Sequence, residues 1–214
     1  MTDQAWQRRV KRAIDLIFAA CALVVCSPVI MGVAFLIRLR MGAPVIFTQQ
    51  RPGYKGRSFR VYKFRTMINE SVRDGRLLTD GERMNTLGRF LRRTSLDEIP
   101  QLWNVLKGDM SLVGPRPLLI RYYPYFDEIE QKRFLMRPGI TGWAQVRGRN
   151  HASWDQRLAD DVWYVENWSL WLDLRILWRT LTMVMKRQGV VEDARSIMLN
   201  LDEERAQRDR ASAP

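Results

Sequence analysis

Leu16–Ile37 reads LIFAACALVVCSPVIMGVAFLI, a run of 22 residues without a formal charge. About 20 apolar residues suffice for an α-helix to cross the hydrocarbon core of a bilayer. Ser27 and Pro28 interrupt the middle of this run, and proline removes a helix hydrogen bond and clashes with the preceding turn. The stretch therefore predicts a membrane-attached chain, through either a kinked spanning helix or a segment that enters and leaves by one face.

The residues around this run favour the second arrangement without excluding the first. Lys and Arg near membrane segments stay on the cytoplasmic side, and here both flanks are basic. We expect the Ser27 hydroxyl to bond a carbonyl that Pro28 leaves unpaired, which eases a sharp break within lipid. A signal peptide is disfavoured because no small-residue cleavage site precedes Arg38. Asp15 lies at the mouth of the run, and the basic residues are Arg8, Arg9, Lys11 and Arg12 before it and Arg38, Arg40, Arg51 and Lys55 after it.

The bulk composition predicts anionic partners. Lys and Arg total 35 against 23 Asp and Glu, a formal charge of +12, which suits nucleic acid, anionic lipid or phosphorylated substrates. Eight Trp favour a membrane-interface protein over a nucleic-acid binder, because Trp partitions to the headgroup region. The single histidine, His151, argues against a His-built zinc site and is interpreted as structural. With only Cys21 and Cys26, both in the apolar run, no disulfide framework is predicted.

Arg93–Pro117 reads RTSLDEIPQLWNVLKGDMSLVGPRP and contains an adjacent carboxylate pair, Asp97 and Glu98. One interpretation is a helix over Ser95–Lys107 in which Ser95 is the N-cap and Glu98 closes a capping box, with a later start if Pro100 forbids one so early. The other is a reactive site, because a carboxylate among arginines stays charged and available as a nucleophile or Mg²⁺ ligand. The basic setting of the pair favours the second interpretation.

Several residues are candidates for binding phosphate. Alternation along a strand places Lys63 and Arg65 on the same side, as a phosphate clamp or as a solvated basic edge. Arg92 precedes the acidic pair, and Arg116 stands between two prolines that fix its backbone, where a guanidinium can contact phosphate oxygens in pairs. A loop over Arg137–Trp143 with free backbone amides is predicted as a nucleotide-binding loop or a plain turn. Its candidate residues, with those just after it, are Gly139, Thr141, Gln145 and Arg147.

The remaining patterns predict an α+β, mostly helical fold with a β-hairpin and amphipathic interfacial helices around a small catalytic domain. Residues 1–40 form the basic segment and membrane helix, 41–190 a cytosol-facing catalytic domain, and 191–214 a charged tail with no identifiable partner face. The hairpin is predicted from two strand-like runs around turn formers, and tryptophans 163, 168, 171 and 178 suit helices at a headgroup boundary. The elements are strands Val45–Gln50 and Ser58–Phe64, and helices Asn85–Arg93, Leu118–Arg133 (after Pro124), Leu158–Glu166 and Trp171–Arg187.

Taken together, these segments resemble the monotopic phosphoglycosyl transferases, also called bacterial sugar transferases, in their minimal catalytic form. No single motif carries the resemblance, which runs in order from about Lys11 to Lys186. The matching pieces are Lys11-Arg12-x-x-Asp15, Ser27-Pro28, Lys63–Met67 (KFRTM), Arg93–Gln101 (RTSLDEIPQ), Gly108–Pro117 (GDMSLVGPRP) and Arg137–Trp143 (RPGITGW).

The resemblance implies transfer of a sugar-1-phosphate from a UDP-sugar to polyprenyl phosphate, by ping-pong kinetics through a covalent aspartyl-phosphosugar intermediate. It implies Asp97 as the nucleophile, Glu98 as base or metal ligand, Mg²⁺ as cofactor, and a re-entrant helix broken at Ser27-Pro28. It further implies a monotopic protein of the bacterial inner membrane that contacts lipids of the cytoplasmic leaflet and no nucleic acid. The sequence leaves the oligomeric state open, and a homodimer is one possibility. The alternatives are a membrane-anchored module that binds anionic lipid or nucleic acid without catalysis, and a hydrolase of lipid-linked sugars.

Overall fold

The computed structural model describes residues 2–70, 72–73, 76–147, 153–186 and 199–212, so His151 lies outside the described part of the chain. Helices dominate, with a hairpin and short strand pairs, which confirms the predicted mostly helical α+β class. The helices are α1 Thr2–Val25, α2 Ser27–Met41, α3 Asp80–Arg83, α4 Thr86–Arg93, α5 Gln101–Lys107, α6 Trp143–Arg147, α7 Trp154–Glu166, α8 Leu170–Met185 and α9 Leu201–Ser212. The strands are β1 Ile46–Pro52, β2 Ser58–Phe64, β3 Val72–Arg73, β4 Arg76–Leu77, β5 Ser111–Val113 and β6 Gly139–Thr141.

The apolar run forms two helices that meet at the Ser27-Pro28 break. Ser27 Oγ donates to the carbonyl of Val24 at 2.7 Å, which is the acceptor that the missing amide of Pro28 would have used. The predicted hydroxyl bond is therefore confirmed. No single described helix is long and apolar enough to cross a bilayer, but Ala5–Val25 and Ser27–Met41 pass that test together and are bent by 61°.

The hairpin is confirmed and extends two residues beyond the predicted first strand. β1 and β2 pair antiparallel from Ile46↔Phe64 to Pro52↔Ser58. Phe64 packs with Leu91 of α4 and with Val33 and Ile37 of α2, so one end of the hairpin rests against the second half of the bent pair.

The main core lies where α1, α5, α7 and α8 surround the parallel pair β5–β6. A Cβ added to Gly139 of β6 would lie 2.1 Å from the nitrogen of Gly114, so glycine permits this close approach of two backbones. The prediction of a loop over Arg137–Trp143 is therefore wrong. Strands of three residues are too short for the alternation that identifies a strand in a sequence.

A buried polar network attaches the first half of α1 to this core. Lys11 Nζ donates to Asp173 Oδ2 at 2.6 Å and to the carbonyl of Val113 at 3.0 Å. Asp173 Oδ1 also accepts from the Tyr164 hydroxyl at 2.6 Å. Asp15 Oδ1 accepts from a backbone amide of β5 at 3.1 Å. Lys11 was counted in the basic flank, but its charge is internal to the protein, which corrects that part of the flanking-charge argument.

The segment after Pro117 differs from its prediction. Ile120–Tyr125 and Glu130–Leu135 are 3₁₀ turns rather than one α-helix, and Pro124 lies within the first of them. Proline removes an amide that a continuous α-helix would need.

The C-terminal segment has the partner face that the sequence did not reveal. Leu201 of α9 is fully buried, and just before it Asn200 accepts from the Tyr122 hydroxyl at 3.0 Å. Arg205 pairs with Glu130 at 2.6 Å. α9 is almost wholly charged, so its single buried leucine gave no helical apolar stripe to recognise.

Candidate functional site

The acidic pair lies on a 3₁₀ turn, Leu96–Glu98, rather than inside a helix that begins at Ser95. Ser95 has a φ of 56° and makes no side-chain cap, so the predicted capping box is wrong. A helix from Ser95 would place the ring of Pro100 against the carbonyl of Leu96 and leave that carbonyl without a donor. α5 therefore begins only at Gln101, which confirms the alternative prediction of a later helix start.

Glu98 is held in its charged form by two cations. Its Oε1 accepts from Lys63 Nζ at 2.7 Å and from Arg116 Nη2 at 3.0 Å. Burial by itself would raise the pKa of Glu98, but the attraction of these two cations outweighs burial and lowers the pKa to about 2. Glu98 therefore acts as the common acceptor that fixes both cationic side chains.

At Asp97 the effect of burial on the pKa outweighs the attraction of the nearby cations, the reverse of Glu98. Asp97 is only 8% exposed, and burial together with the negative charge of Glu98 raises its pKa to about 6, against the attraction of Lys63, Arg92 and Arg116. The carboxylate is thus mostly ionised at pH 7 and poorly hydrated. A partly desolvated carboxylate beside fixed cations is suited to attack an anionic phosphorus centre.

Arg92 reaches this site from α4, which packs closely on the residues after β2. Its Nε donates to Thr66 Oγ1 at 3.2 Å. A Cβ added to Gly88 would lie 1.9 Å from the carbonyl oxygen of Thr66, so the absence of a side chain there sets the approach of α4. The sequence predicted Asp97, Glu98, Lys63, Arg92 and Arg116 as candidates in separate motifs, and the structure places all five around one turn.

Arg65 does not belong to this group, which corrects its interpretation as half of a phosphate clamp with Lys63. β2 ends at Phe64, so strand alternation no longer controls the direction of Arg65. Its buried guanidinium donates to carbonyls at the end of α2, with Ala43 O at 2.9 Å, Gly42 O at 2.7 Å and Met41 O as acceptors. Arg65 thus holds the exit of the bent helix pair.

The residues assigned to a nucleotide-binding loop also have internal partners. Gly139 and Thr141 lie in β6 and are buried. Gln145 and Arg147 lie on α6. These contacts favour structural roles for all four residues. Their partners, in the same order, are the Pro115 carbonyl, Thr180 Oγ1, the Ile140 carbonyl and Asp160.

Two further arginines, Arg51 and Arg157, carry charges that repel the charge of Arg116. Burial and then the repulsion of Arg116 lower the pKa of Arg51 to about 10. The same two causes lower the pKa of Arg157. Arg51 had been counted only as a flanking charge, and nothing in the local pattern around Arg157 pointed to it.

The side chains at this site determine whether it can bind a divalent cation. Among the described residues, no group of three or more His, Cys, Asp or Glu side chains lies together. Mg²⁺ commonly binds through one or two carboxylates and completes its coordination with water and substrate phosphate. The neighbouring carboxylates of Asp97 and Glu98 therefore fit an ion that is shared with a phosphorylated ligand.

Comparison with known proteins gives a consistent family. Residues 6–187 match the family model described as bacterial sugar transferase. A sugar transferase of Bacillus subtilis, EpsL, is 49% identical over 180 residues, which are 84% of this chain and 89% of that protein.

Two longer relatives carry more specific names. An undecaprenyl-phosphate galactose phosphotransferase of Salmonella typhimurium is 41% identical over 202 residues. A UDP-N-acetylgalactosamine-undecaprenyl-phosphate N-acetylgalactosaminephosphotransferase of Aeromonas hydrophila is 40% identical over 188 residues. The matches cover 85% and 84% of this chain but only 42% and 44% of those proteins, so the chain spans less than half of each.

Proposed function

This chain belongs to the bacterial sugar transferase family, and from that premise we propose that it transfers a sugar-1-phosphate from a UDP-sugar to polyprenyl phosphate. The products are a polyprenyl-diphosphate-sugar and UMP, and the reaction would begin the membrane stage of glycoconjugate assembly. One observation carries the proposal: a buried, ionisable Asp97 lies among Lys63, Arg92 and Arg116. The names of the undecaprenyl-phosphate relatives supply the class of acceptor.

In the first step an Oδ of Asp97 attacks the β-phosphorus of the UDP-sugar. A bond forms between that oxygen and phosphorus, the bond from phosphorus to the bridging oxygen breaks, and UMP departs with the electron pair. The cations around Asp97 offset charge on the phosphoryl oxygens, which is the main contribution a protein makes to phosphoryl transfer.

In the second step an oxygen of polyprenyl phosphate attacks the same phosphorus and the aspartyl–phosphorus bond breaks. Asp97 is released as a carboxylate, so one site serves both substrates in turn. Glu98 has a pKa of about 2 and two cationic partners, and it therefore accepts a proton poorly. We assign it to holding Lys63 and Arg116, and to sharing a metal ion with Asp97, rather than to general base catalysis.

Mg²⁺ is the cofactor that this site would hold through Asp97 and Glu98, and when bound it would neutralise charge on the phosphoryl oxygens of the substrate.

We further propose that the bent pair α1–α2 enters and leaves the cytoplasmic leaflet by the same face. Apolar side chains stand exposed along both helices and along α8, a pattern typical of a surface that meets lipid. Leu96, directly before Asp97, packs in the cluster that contains Val33 and Ile37 of α2. The nucleophile would therefore lie at the depth of a lipid phosphate. The most exposed of these side chains are Ile17, Val24, Val25, Met31, Phe35, Leu39, Trp171, Trp178 and Met185.

The reaction is tested by measuring UMP release across a set of UDP-sugars, with and without polyprenyl phosphate and Mg²⁺. We expect one sugar to give turnover, and a labelled phosphosugar to stay bound to the protein when the acceptor is omitted. Asp97→Asn should abolish both signals. A basic binding module without catalysis predicts instead that Asp97→Asn leaves function intact and that binding weakens steeply with salt.

The topology is tested with single cysteines at Trp6 and Ala43, in a chain whose native cysteines are replaced by serine. Both positions are exposed, and a re-entrant pair leaves both open to a membrane-impermeant thiol reagent from the cytoplasmic face. Protection of one position and labelling of the other would establish a spanning helix.

A further inference from the structure

α9 packs on the catalytic portion of the chain, but the chemistry proposed above does not use it. The residues that match the family model end at 187, so membership of the family assigns this helix no role. Leu201, at the start of α9, is fully buried in a cluster of large side chains. We call this group the Leu201 cluster, and its members are Leu201, Tyr122, Phe126, Phe134, Trp154 and Leu158.

Hydrogen bonds attach the residues before Leu201 to two different elements. The Tyr122 hydroxyl, on the first 3₁₀ turn after Pro117, donates to Asn200 Oδ1 at 3.0 Å. Trp154 Nε1, at the start of α7, donates to the Leu199 carbonyl at 2.9 Å. The rings of Tyr122 and Trp154 meet edge-on, with their centroids 5.4 Å apart. The start of α9 is therefore bonded to both rings of one aromatic contact.

The rest of α9 is held by ion pairs. Arg205 Nη2 lies 2.6 Å from Glu130 Oε1 and 2.9 Å from Asp155 Oδ1. Arg208 Nη1 lies 2.8 Å from Asp155 Oδ2. The side chain of Asp155 is half exposed, and exposed ion pairs contribute little each and weaken with salt. The attachment of α9 thus depends mainly on the burial of Leu201 and on the pair between Arg205 and Glu130.

The Leu201 cluster also surrounds a buried cation. The guanidinium of Arg133 lies over the rings of Phe126 and Phe134, at 5.3 Å and 5.5 Å from their centroids. A cation over an aromatic face is attracted by the charge distribution of the ring, so the two rings help to fix the position of this guanidinium. Both rings belong to the cluster that Leu201 completes.

Arg133 connects the cluster to the acidic turn. Its Nη2 donates to Asp161 Oδ2 at 2.6 Å and to the carbonyl of Arg116 at 2.7 Å. The side chain of Arg116 donates in turn to Glu98 Oε1 at 3.0 Å. Arg133 therefore holds the backbone of the residue whose guanidinium meets the carboxylate next to Asp97. A continuous series of contacts runs from α9 to the candidate site.

We propose that α9 is a positioning element for Arg116, which acts through the Leu201 cluster and Arg133. This inference rests on the proposed function, in which Arg116 offsets charge on the phosphoryl oxygens. Leu201 and Arg133 are positioning residues, because they act through Arg116. Detachment of α9 would expose the cluster, loosen the contact of Arg133 with the Arg116 carbonyl and displace the guanidinium of Arg116. A displacement of about 1 Å can slow a reaction roughly a hundredfold.

The proposal is tested in the full chain in detergent with a matched pair of substitutions. Leu201→Asp places a charge inside the cluster and should detach α9, whereas Leu199→Asp places the same charge on a side chain that is 44% exposed. We expect the kcat for UMP release to fall about tenfold in Leu201→Asp and to change less than about twofold in Leu199→Asp. Leu201→Met conserves the apolar volume and should keep the parental kcat.

Hydrogen exchange distinguishes positioning from a general loss of stability. The Gly139 amide donates to the carbonyl of Pro115, next to Arg116, at 3.0 Å, so its exchange rate reports on that segment. In Leu201→Asp we expect faster exchange at this amide and within α9, and parental exchange within α8.

Arg205→Gln is a second variant that leaves the Leu201 cluster intact. It removes the ion pairs with Glu130 and Asp155 and should give the same changes in kcat and exchange to a smaller extent. Arg210→Gln is its control, because Arg210 lies exposed on the same helix. If Leu201→Asp does not fold, the comparison of Arg205→Gln with Arg210→Gln decides the question.

A double variant tests the route through Arg133. Arg133→Lys keeps a positive charge beside Asp161 but lacks the planar guanidinium that lies over the two rings. Leu201→Asp should therefore slow turnover much less in the Arg133→Lys chain than in the parent. Fully additive losses in the double variant would overturn the proposed route.

The outcomes separate this proposal from the proposed reaction. Parental kcat in both Leu201→Asp and Arg205→Gln, or a lower kcat with unchanged exchange at Gly139, would overturn the positioning role and leave the reaction standing. A parent that releases no UMP would overturn the reaction. Faster exchange at Gly139 in Leu201→Asp would still show in that case that α9 supports the segment around Arg116.

Discussion

Asp97 and Glu98 are adjacent residues whose surroundings give them different chemistry. Glu98 accepts from both Lys63 and Arg116, whereas Asp97 is buried and feels the same cations only at a distance. Two ion pairs therefore stabilise the charge of Glu98, and burial penalises the charge of Asp97. This difference supports the roles proposed above, in which Asp97 is the nucleophile and Glu98 organises the neighbouring charges.

The pH dependence of the first half-reaction should report the pKa of Asp97. We expect the rate of UMP release to fall on the acid side with a midpoint near pH 6, because the protonated carboxyl is a poor nucleophile. Glu98→Gln removes a negative neighbour and lowers the pKa of Asp97, so its acid limb should move to lower pH. The measurement is kcat/KM for the UDP-sugar between pH 4.5 and 8, and an unmoved limb in Glu98→Gln would contradict this account.

Asp97→Asn should stabilise the protein while it abolishes turnover. The folded pKa of about 6 exceeds the unfolded value of about 3.9, so this group favours folding below pH 4 and loses that contribution as pH rises through 6. Removing the buried charge should therefore raise the free energy of unfolding by roughly 2 kcal/mol at pH 7, and by less at pH 4.5. Denaturant unfolding in detergent at both pH values checks this, and a less stable Asn variant at pH 7 would count against it.

At the scale of elements, α4 shows how backbone contact positions a functional side chain. The close packing of Gly88 on Thr66 brings Arg92 within 3.2 Å of the Thr66 hydroxyl. Arg92 thus depends on a glycine that lies four residues earlier, on the same face of the helix.

Gly88→Ala should therefore impair the site from outside it. The added Cβ would meet backbone at 1.9 Å, so α4 must shift and we expect a loss of about 2 kcal/mol in stability with reduced turnover. Gly32→Ala is the matched control, because the Cβ at that helical position meets nothing within 4 Å. Thermal melting and UMP release of both variants provide the measurement. Equal behaviour of the two variants would show that the contact does not position α4.

The sequence predicted those elements that have a regular hydrophobic periodicity or a recognisable turn signature. The hairpin, α4, α7 and α8 have such patterns and were found, although α7 begins four residues before its predicted start. The predicted last residue of α8, Arg187, lies outside the described part of the chain. The pair β5–β6 was missed, because each strand has three residues and the partners are distant in sequence. α9 was missed because a single buried leucine does not form the apolar stripe that identifies an amphipathic helix in a sequence.

The same limit separates the candidate site residues that the structure brings together from those that it does not. The acidic turn, Lys63, Arg92 and Arg116 stand close to charged neighbours in the sequence motifs and meet in space. Arg65, Gly139 and Thr141 are residue types that also occur in phosphate-binding sites. Their hydrogen-bond partners lie in elements that are distant in the sequence, so a local sequence pattern could not reveal those contacts. Packing decides whether a basic or glycine residue faces a ligand, and packing is set by the whole fold.

At the scale of the molecule, one network joins the first half of α1 to the catalytic core. Lys11 and Asp173 are both buried, and their charges compensate each other across 162 residues of chain. Arg12 adds contacts to the carbonyls that end α5, with Val105 O at 2.7 Å. The acidic turn lies two residues before α5, so these contacts attach α1 to the helix that follows the carboxylate pair.

Lys11→Met should lower the free energy of unfolding by about 3–5 kcal/mol, because it leaves the Asp173 charge buried without its cation. The double variant with Asp173→Asn should recover part of this loss, since no unpaired charge remains. Arg9→Met, on the same helix and exposed, is the control and should change stability little. Denaturant unfolding in detergent measures all four chains. A double variant no more stable than Lys11→Met alone would refute the coupling.

The continuity of α1 has a consequence for any attempt to isolate the catalytic portion. Ala19, well inside the uncharged run, is completely shielded within the main core, and Ala22 and Leu23 pack against that core. Removal of the apolar run to obtain a freely diffusing enzyme would therefore remove part of the main hydrophobic core. We therefore expect a chain cut within this helix to lose stability together with the core that the helix completes.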